Sequence, residues 1–179
     1  KRLKADKARS EANRARFFRE ARITGQLDHP GIVTVFDFGS AGPWFFFAME
    51  RVVGKSLREL IATRALGAKE SLAVVAQICE ALQHAHELGV VHRDIKPGNI
   101  FLITRRTGDL FIKVLDLGIA KVAQHHRDAA APPTTRASQG TPGTPEYMSP
   151  EQALGLRDAL DERSDVFLLG ALLYELLTG

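Results

Sequence analysis

The chain has 179 residues, 45% apolar and 25% charged, enough for one or two modest cores and too apolar for a disordered tail. Twenty-four Lys and Arg against 21 Asp and Glu leave a formal charge of +3, too small to argue for a nucleic-acid partner without a patch that tracks a phosphate backbone. The single cysteine, Cys79, excludes an internal disulfide, and the longest apolar stretch, 166–177, is shorter than the roughly 20 residues of a membrane-spanning helix.

The sequence opens on Lys1-Arg2-Leu3-Lys4 with no initiator Met and no signal-peptide pattern, and stops at Leu177-Thr178-Gly179. The expectation is a cytoplasmic fragment of a longer protein, with any membrane anchor lying outside it. Residues 5–27 lack Pro and place Phe17, Thr24 and Leu27 at helical spacing, which predicts a basic amphipathic helix with Glu20 in its buried stripe. A carboxylate there is costly unless paired, so Glu20 either finds a cation from elsewhere or sits at the stripe's edge in water. Residues 31–38 and 44–49 are β-branched or aromatic runs on either side of a 39–43 turn, a hairpin signal. Ser56 is placed to cap a short helix, and residues 69–87 carry Leu72, Val75, Cys79, Leu82 and His86 as a core-facing stripe. Residues 100–103 and 110–115 predict a second hairpin. The aperiodic stretch 124–145, rich in Ala, Pro, Thr, Ser and Gly, reads as a long mobile loop, and 166–177 as a buried helix.

Chemistry concentrates after the 69–87 helix, in Val91-His92-Arg93-Asp94-Ile95-Lys96-Pro97-Gly98-Asn99. An Asp for a hydroxyl proton, a Lys for a transferring phosphate and an Asn for a metal ion are the parts phosphoryl transfer requires. Beyond the second hairpin comes Asp116-Leu117-Gly118, where a carboxylate at a strand end holds a divalent metal while Gly frees the backbone. Alone, that tripeptide would be a turn; behind this loop it is informative.

With these motifs and Gly143-Thr144-Pro145-Glu146-Tyr147-Met148-Ser149-Pro150-Glu151 in fixed order, the chain resembles the eukaryotic-type protein kinases, specifically the serine/threonine kinases of bacteria. The resemblance implies an α+β, two-lobed protein-kinase-like fold truncated at both ends. Residues 1–53 would be a partial N-terminal lobe, with the end of the family's third strand, helix C, strands 4 and 5 and the hinge. Residues 54–179 would be a partial C-terminal lobe, with catalytic loop, metal motif, activation segment and central helix. The implied reaction moves the γ-phosphate of ATP, with Mg2+, to Ser or Thr hydroxyls of proteins, the kinase itself included, in signal transduction. Dimerisation is compatible with this reading; nucleic acid and a membrane segment within the chain are not part of it.

Carried over residue by residue, the resemblance makes Asp94 the group that orients the hydroxyl and accepts its proton, and Lys96 the one that neutralises γ-phosphate charge. Asn99 and Asp116 would hold magnesium, while His92 would pack under Leu117 in a structural role. Lys1 would pair with Glu20 and touch the α- and β-phosphates. Met49 would guard the inner pocket, the Glu50 carbonyl and Val52 amide would bond the adenine edge, and Phe101 would supply part of its apolar floor. Arg93 would bind a phosphorylated activation loop whose candidate acceptors are Thr134, Thr135, Ser138 and Thr141. Thr144 would hydrogen-bond Asp94 and, with Lys96, indicate Ser/Thr specificity; Asp165 would anchor the backbone of the catalytic loop. Because the glycine-rich loop and first two strands are absent before Lys1, the fragment itself is expected to hold ATP poorly. The rivals are a pseudokinase scaffold, disfavoured by the visible catalytic side chains, and a kinase-like small-molecule phosphotransferase, disfavoured by the 143–151 segment.

Overall fold

The computed structural model describes residues 2–4, 18, 21–41, 44–104, 108–117 and 145–179. The aromatic run Trp44–Met49 forms the central strand, β3, of a three-stranded antiparallel sheet, flanked by β1 (Arg2–Lys4) and β2 (Val35–Ala41) in the order β1-β3-β2. Alternation along β3 turns Phe47 inward, where it meets Phe38, and Phe38 in turn meets Phe18, giving a small apolar cluster with Ala21.

The second antiparallel sheet is β4 (Lys55–Ser56), β5 (Ile100–Thr104) and β6 (Leu110–Val114), in that order. β5 and β6 are the second hairpin expected from the sequence, with Ile100 opposite Val114 and Thr104 opposite Leu110. Ile100, Leu102, Ile112 and Val114 enter the main core, which also holds Leu57, Ile78, Ile95, Leu168 and Leu172.

The first hairpin departs from expectation at its start, because β2 begins at Val35 rather than at residue 31. The preceding residues bond to the other sheet instead. Val114 N–H donates to the Gly31 carbonyl at 2.7 Å, Val33 N–H donates to the Val114 carbonyl at 3.0 Å, and Ile32 forms an isolated parallel bridge with Val114. A β-branched run satisfies either ladder; burial of Ile32 and Val33 selects this one. Strand pairing also continues to Ala41, further into the expected 39–43 turn.

Helix α1 (Leu57–Ala62) is capped by Ser56 as the sequence indicates. The Ser56 hydroxyl accepts the Glu59 N–H at 3.3 Å, and the Glu59 carboxylate accepts the Ser56 N–H at 2.7 Å. Helix α2 (Ala68–Glu87) matches the expected span within one residue, but its buried face is Ser71, Val74, Val75, Ile78, Ala81, Leu82 and Ala85. Leu72 and Cys79, expected inside, are exposed, and His86 is half-buried. The Leu72-Ala73-Val74-Val75 run offers two faces at helical spacing, and packing against β6 and the last helix selects the one centred on Ile78.

A short helix, α3 (Pro150–Ala153), follows a single 3₁₀ turn at Pro145–Tyr147. The last helix, α4 (Glu162–Thr178), starts where Asp161 accepts the Arg163 N–H at 3.0 Å. It buries Ser164, Asp165, Leu168, Leu169, Leu172 and Leu176 while Val166, Phe167, Tyr174 and Leu177 remain exposed. The expected buried helix is buried on one side, since three- and four-residue spacing makes a single seam. Residues 21–24 are helical, with Ala21, Thr24 and Leu27 buried. The helix ends at 24, with 25–26 a turn and 27 irregular, short of the expected end at 27; residues 5–17, 19 and 20 of the expected helix and nearly all of the 124–145 loop lie outside the described residues. Among the described residues, no helix is long and apolar enough to cross a membrane.

Candidate active site

The loop 91–99 hangs from the first turn of α4. Asp165, fully buried, accepts the Arg93 N–H at Oδ1 (2.7 Å) and the His92 N–H at Oδ2 (2.8 Å), and His86 Nε2 lies 2.8 Å from that second oxygen. A carboxylate persists at such depth only with partners of this kind. The bonds hold Arg93 at φ +62°, left-handed backbone that costs a side chain with a Cβ about 1–2 kcal/mol. His92 is equally buried. Its Nδ1 accepts the Asp94 N–H at 3.2 Å, so the proton sits on Nε2, which donates to the Leu115 carbonyl at 3.0 Å. Burial drives its pKa below the ordinary value against the opposing pull of Asp165 and Asp94, which keeps the ring neutral and suits a structural role.

Asp94, Lys96 and Asn99 form one cluster. Asn99 Nδ2 donates to the Asp94 carbonyl at 2.8 Å and to its Oδ2 at 2.9 Å, and Lys96 Nζ stands 2.9 Å from the same Oδ2. With its nitrogen committed to Asp94, the Asn99 amide turns its oxygen the other way, as a hard donor suited to a divalent cation. Leu115 joins this loop to the next motif: its N–H donates to the Asn99 carbonyl at 2.8 Å while its own carbonyl receives His92. Asp116, at φ +60°, follows directly, and Leu117 is buried. Asp94, Lys96, Asn99 and Asp116 are thus gathered at the end of β6. Among the described residues, no group of three His, Cys, Asp or Glu side chains is placed to hold a metal. The Asp116 carboxylate and the Asn99 amide oxygen are hard oxygen donors that fit magnesium completing its shell with phosphate oxygens and water, while the Lys96 ammonium is left for phosphate charge.

Met49 ends β3, half-buried against the Phe47 cluster, and Val52 and Phe101 are also half-buried, the latter on β5 opposite Lys113. Glu50 is tied down on both its backbone and its side chain. Its N–H donates to the Thr34 carbonyl at 2.9 Å, and its carboxylate accepts Lys113 Nζ at 2.7 Å and the Thr34 N–H at 3.3 Å. Burial pushes the Glu50 carboxyl up, but the Lys113 bond, the Thr34 amide and the lysine charge together leave it below the usual carboxylate range. Lys113 also reaches the Ile32 carbonyl at 3.2 Å.

At the far end, Tyr147 donates its hydroxyl to Glu175, and the Ser164 hydroxyl donates to Glu151. Burial, then the Glu175 carboxylate, push the Tyr147 phenol well up. Gln152 Nε2 donates to the Arg93 carbonyl at 2.8 Å. Three positioning side chains, His86, Lys113 and Gln152, escaped assignment from sequence, where they read as ordinary helix and strand residues. Lys1, Glu20, Thr134, Thr135, Ser138, Thr141 and Thr144 lie outside the described residues.

A model of the protein kinase domain family matches residues 1–179. The chain belongs to the protein kinase domain family. This kinase chain is 46% identical over 167 residues to the serine/threonine-protein kinase pkn3 of Myxococcus xanthus, covering 92% of the chain and 30% of that relative. It is 41% identical over 182 residues to the serine/threonine-protein kinase PknB of Mycobacterium leprae, covering 99% of the chain and 27% of the relative. The PknI kinase domain of Mycobacterium tuberculosis matches in structure with a TM-score of 0.70 at 30% identity, covering 94% of this chain and 58% of that one. The fold is therefore α+β and protein-kinase-like, as the motifs imply. The kinase chain spans less than a third of the length of these curated relatives. Protein kinases as a family use ATP and Mg2+.

Proposed function

We propose that the protein carrying this chain is a serine/threonine protein kinase, moving the γ-phosphate of Mg-ATP to Ser and Thr hydroxyls of proteins, itself among them. The observation that carries the reading is the Asp94–Lys96–Asn99 cluster, joined to Asp116 through the bonds of Leu115. Asp94 orients the acceptor hydroxyl and takes its proton as the oxygen attacks phosphorus. Lys96, held against Asp94, meets the charge that develops on the phosphoryl oxygens. Asn99 and Asp116 would hold magnesium, which when bound neutralises charge on the nucleotide phosphates. His92 remains neutral and holds the Asp94 amide.

In this reading residues 1–53 belong to the small lobe and 54–179 to the large one. The Glu50 carbonyl and Val52 amide meet the adenine edge, Met49 and Phe101 line its pocket, and Lys1 with Glu20 serves the α- and β-phosphates. Arg93 receives a phosphate placed on Thr134, Thr135, Ser138 or Thr141, and Thr144 supports Asp94. In this reading the catalytic chain works in the cytoplasm, where ATP is supplied. The test is incorporation of labelled γ-phosphate by the complete kinase beside Asp94→Asn. Loss of a positioned base lowers the rate at least about 100-fold; equal incorporation by both proteins would overturn the assignment.

A further inference from the structure

The peptide bond between Arg93 and Asp94 carries the side chain assigned above as the base, and both of its polar groups are held. The Asp94 N–H donates to His92 Nδ1 at 3.2 Å, and the Arg93 carbonyl accepts Gln152 Nε2 at 2.8 Å. Gln152 lies on α3, and its other amide atom is also committed: Oε1 accepts the Ser149 N–H at 3.0 Å, closing a capping box. One half-buried amide therefore bridges 59 positions of sequence, with its orientation fixed because oxygen faces one partner and N–H the other. Arg93 sits at φ +62°. Asp165 fixes the peptide plane before it and Gln152, with His92, the plane after it.

We propose that Gln152 is a positioning residue that makes alignment of Asp94 conditional on the turn Ser149–Gln152, where the activation segment ends. The inference rests on the kinase reading of Asp94. A strained residue keeps one conformation only while its surroundings over-determine it, and here the Gln152 side chain clasps the carbonyl of the peptide that leads into Asp94 while His92 holds its N–H. Rearrangement of residues 149–152 withdraws that clasp without touching nucleotide or metal.

Gln152→Glu separates the two bonds. Glutamate at the third helical position is a natural capping partner, so the Ser149 N–H keeps its acceptor, but an ionised carboxylate has no hydrogen to donate to the Arg93 carbonyl. In the complete kinase, Q152E is expected to lower kcat on a Ser/Thr peptide roughly tenfold. KM for ATP and the melting temperature should stay near wild type. As pH falls toward about 5, protonation of the substituted carboxyl restores an O–H donor, so the ratio of variant to wild-type kcat should rise. Amide hydrogen exchange at Asp94 should quicken in Q152E whether or not substrate is turned over. Wild-type kcat together with unchanged Asp94 exchange would overturn the proposal. A wild-type kinase without phosphoryl transfer would instead defeat the kinase reading, and the exchange comparison would still decide the Gln152 link.

Discussion

His29 and His84 stack with ring centroids 5.4 Å apart, and His29 Nδ1 accepts the Gly31 N–H at 3.0 Å. Burial, then the charges of His84 and Lys113, push the His29 pKa below its ordinary value, with Glu80 pulling the other way. The unfolded chain takes up this proton near pH 6.5 while the folded one resists it, so the stability tied to neutral His29 is fully present above that pH. It is lost as pH falls from there through the lower folded value. The melting temperature should therefore drop between about pH 7.5 and 5.5, and His29→Asn, which retains an acceptor and does not titrate, should drop less. Identical pH profiles for the two proteins would refute the role. His92 adds to the loss in both, being lowered in the same direction. Asp94, Lys96, Asn99 and Asp116 were legible as site candidates because residue type and order carry their chemistry. His86, Lys113 and Gln152 were not, since their partners lie 79, 63 and 59 positions away. Lys113 reads as a solvent-facing strand residue, yet its side chain is only 12% exposed.

At the level of elements, periodicity fixed where α2 runs but not which way it faces. The Ser56 cap, the β5–β6 hairpin and the helix at 162–178 were all visible in local sequence, because caps, turn residues and apolar spacing act within a few positions. The α2 face and the start of β2 were not, because each is settled by what arrives from elsewhere: the last helix and β6 for α2, and Val114 for residues 31–33. Neighbouring residues on α2 give a direct check by chemical denaturation. Ile78→Ala removes a fully buried side chain and should cost about 2–5 kcal/mol. Cys79→Ala, one step around the helix on the exposed side, should change stability by less than about 0.5 kcal/mol. Comparable losses from both would mean the helix is turned the other way.

Across the whole molecule, the two sheets meet where residues 31–33 pair with Val114 and where Lys113 reaches Glu50 and Ile32. The family was legible from motif order, whereas this junction was not, because it is assembled from three stretches far apart in sequence and uses the Glu50 side chain, to which the hinge reading gives no role. A double-mutant cycle with Glu50→Gln and Lys113→Met should return a coupling of about 1 kcal/mol, modest because Glu50 remains partly in water. Additive losses would show that the pair does not tie the sheets together. Two of the left-handed non-glycine residues, Arg93 and Asp116, stand at the loops that bear the proposed catalytic and metal-binding groups. Each stores about 1–3 kcal/mol of distortion, released as soon as its restraints let go. The working arrangement is thus a cocked spring rather than a resting shape: disengaging it needs only a small push, while rebuilding it demands that every latch close again.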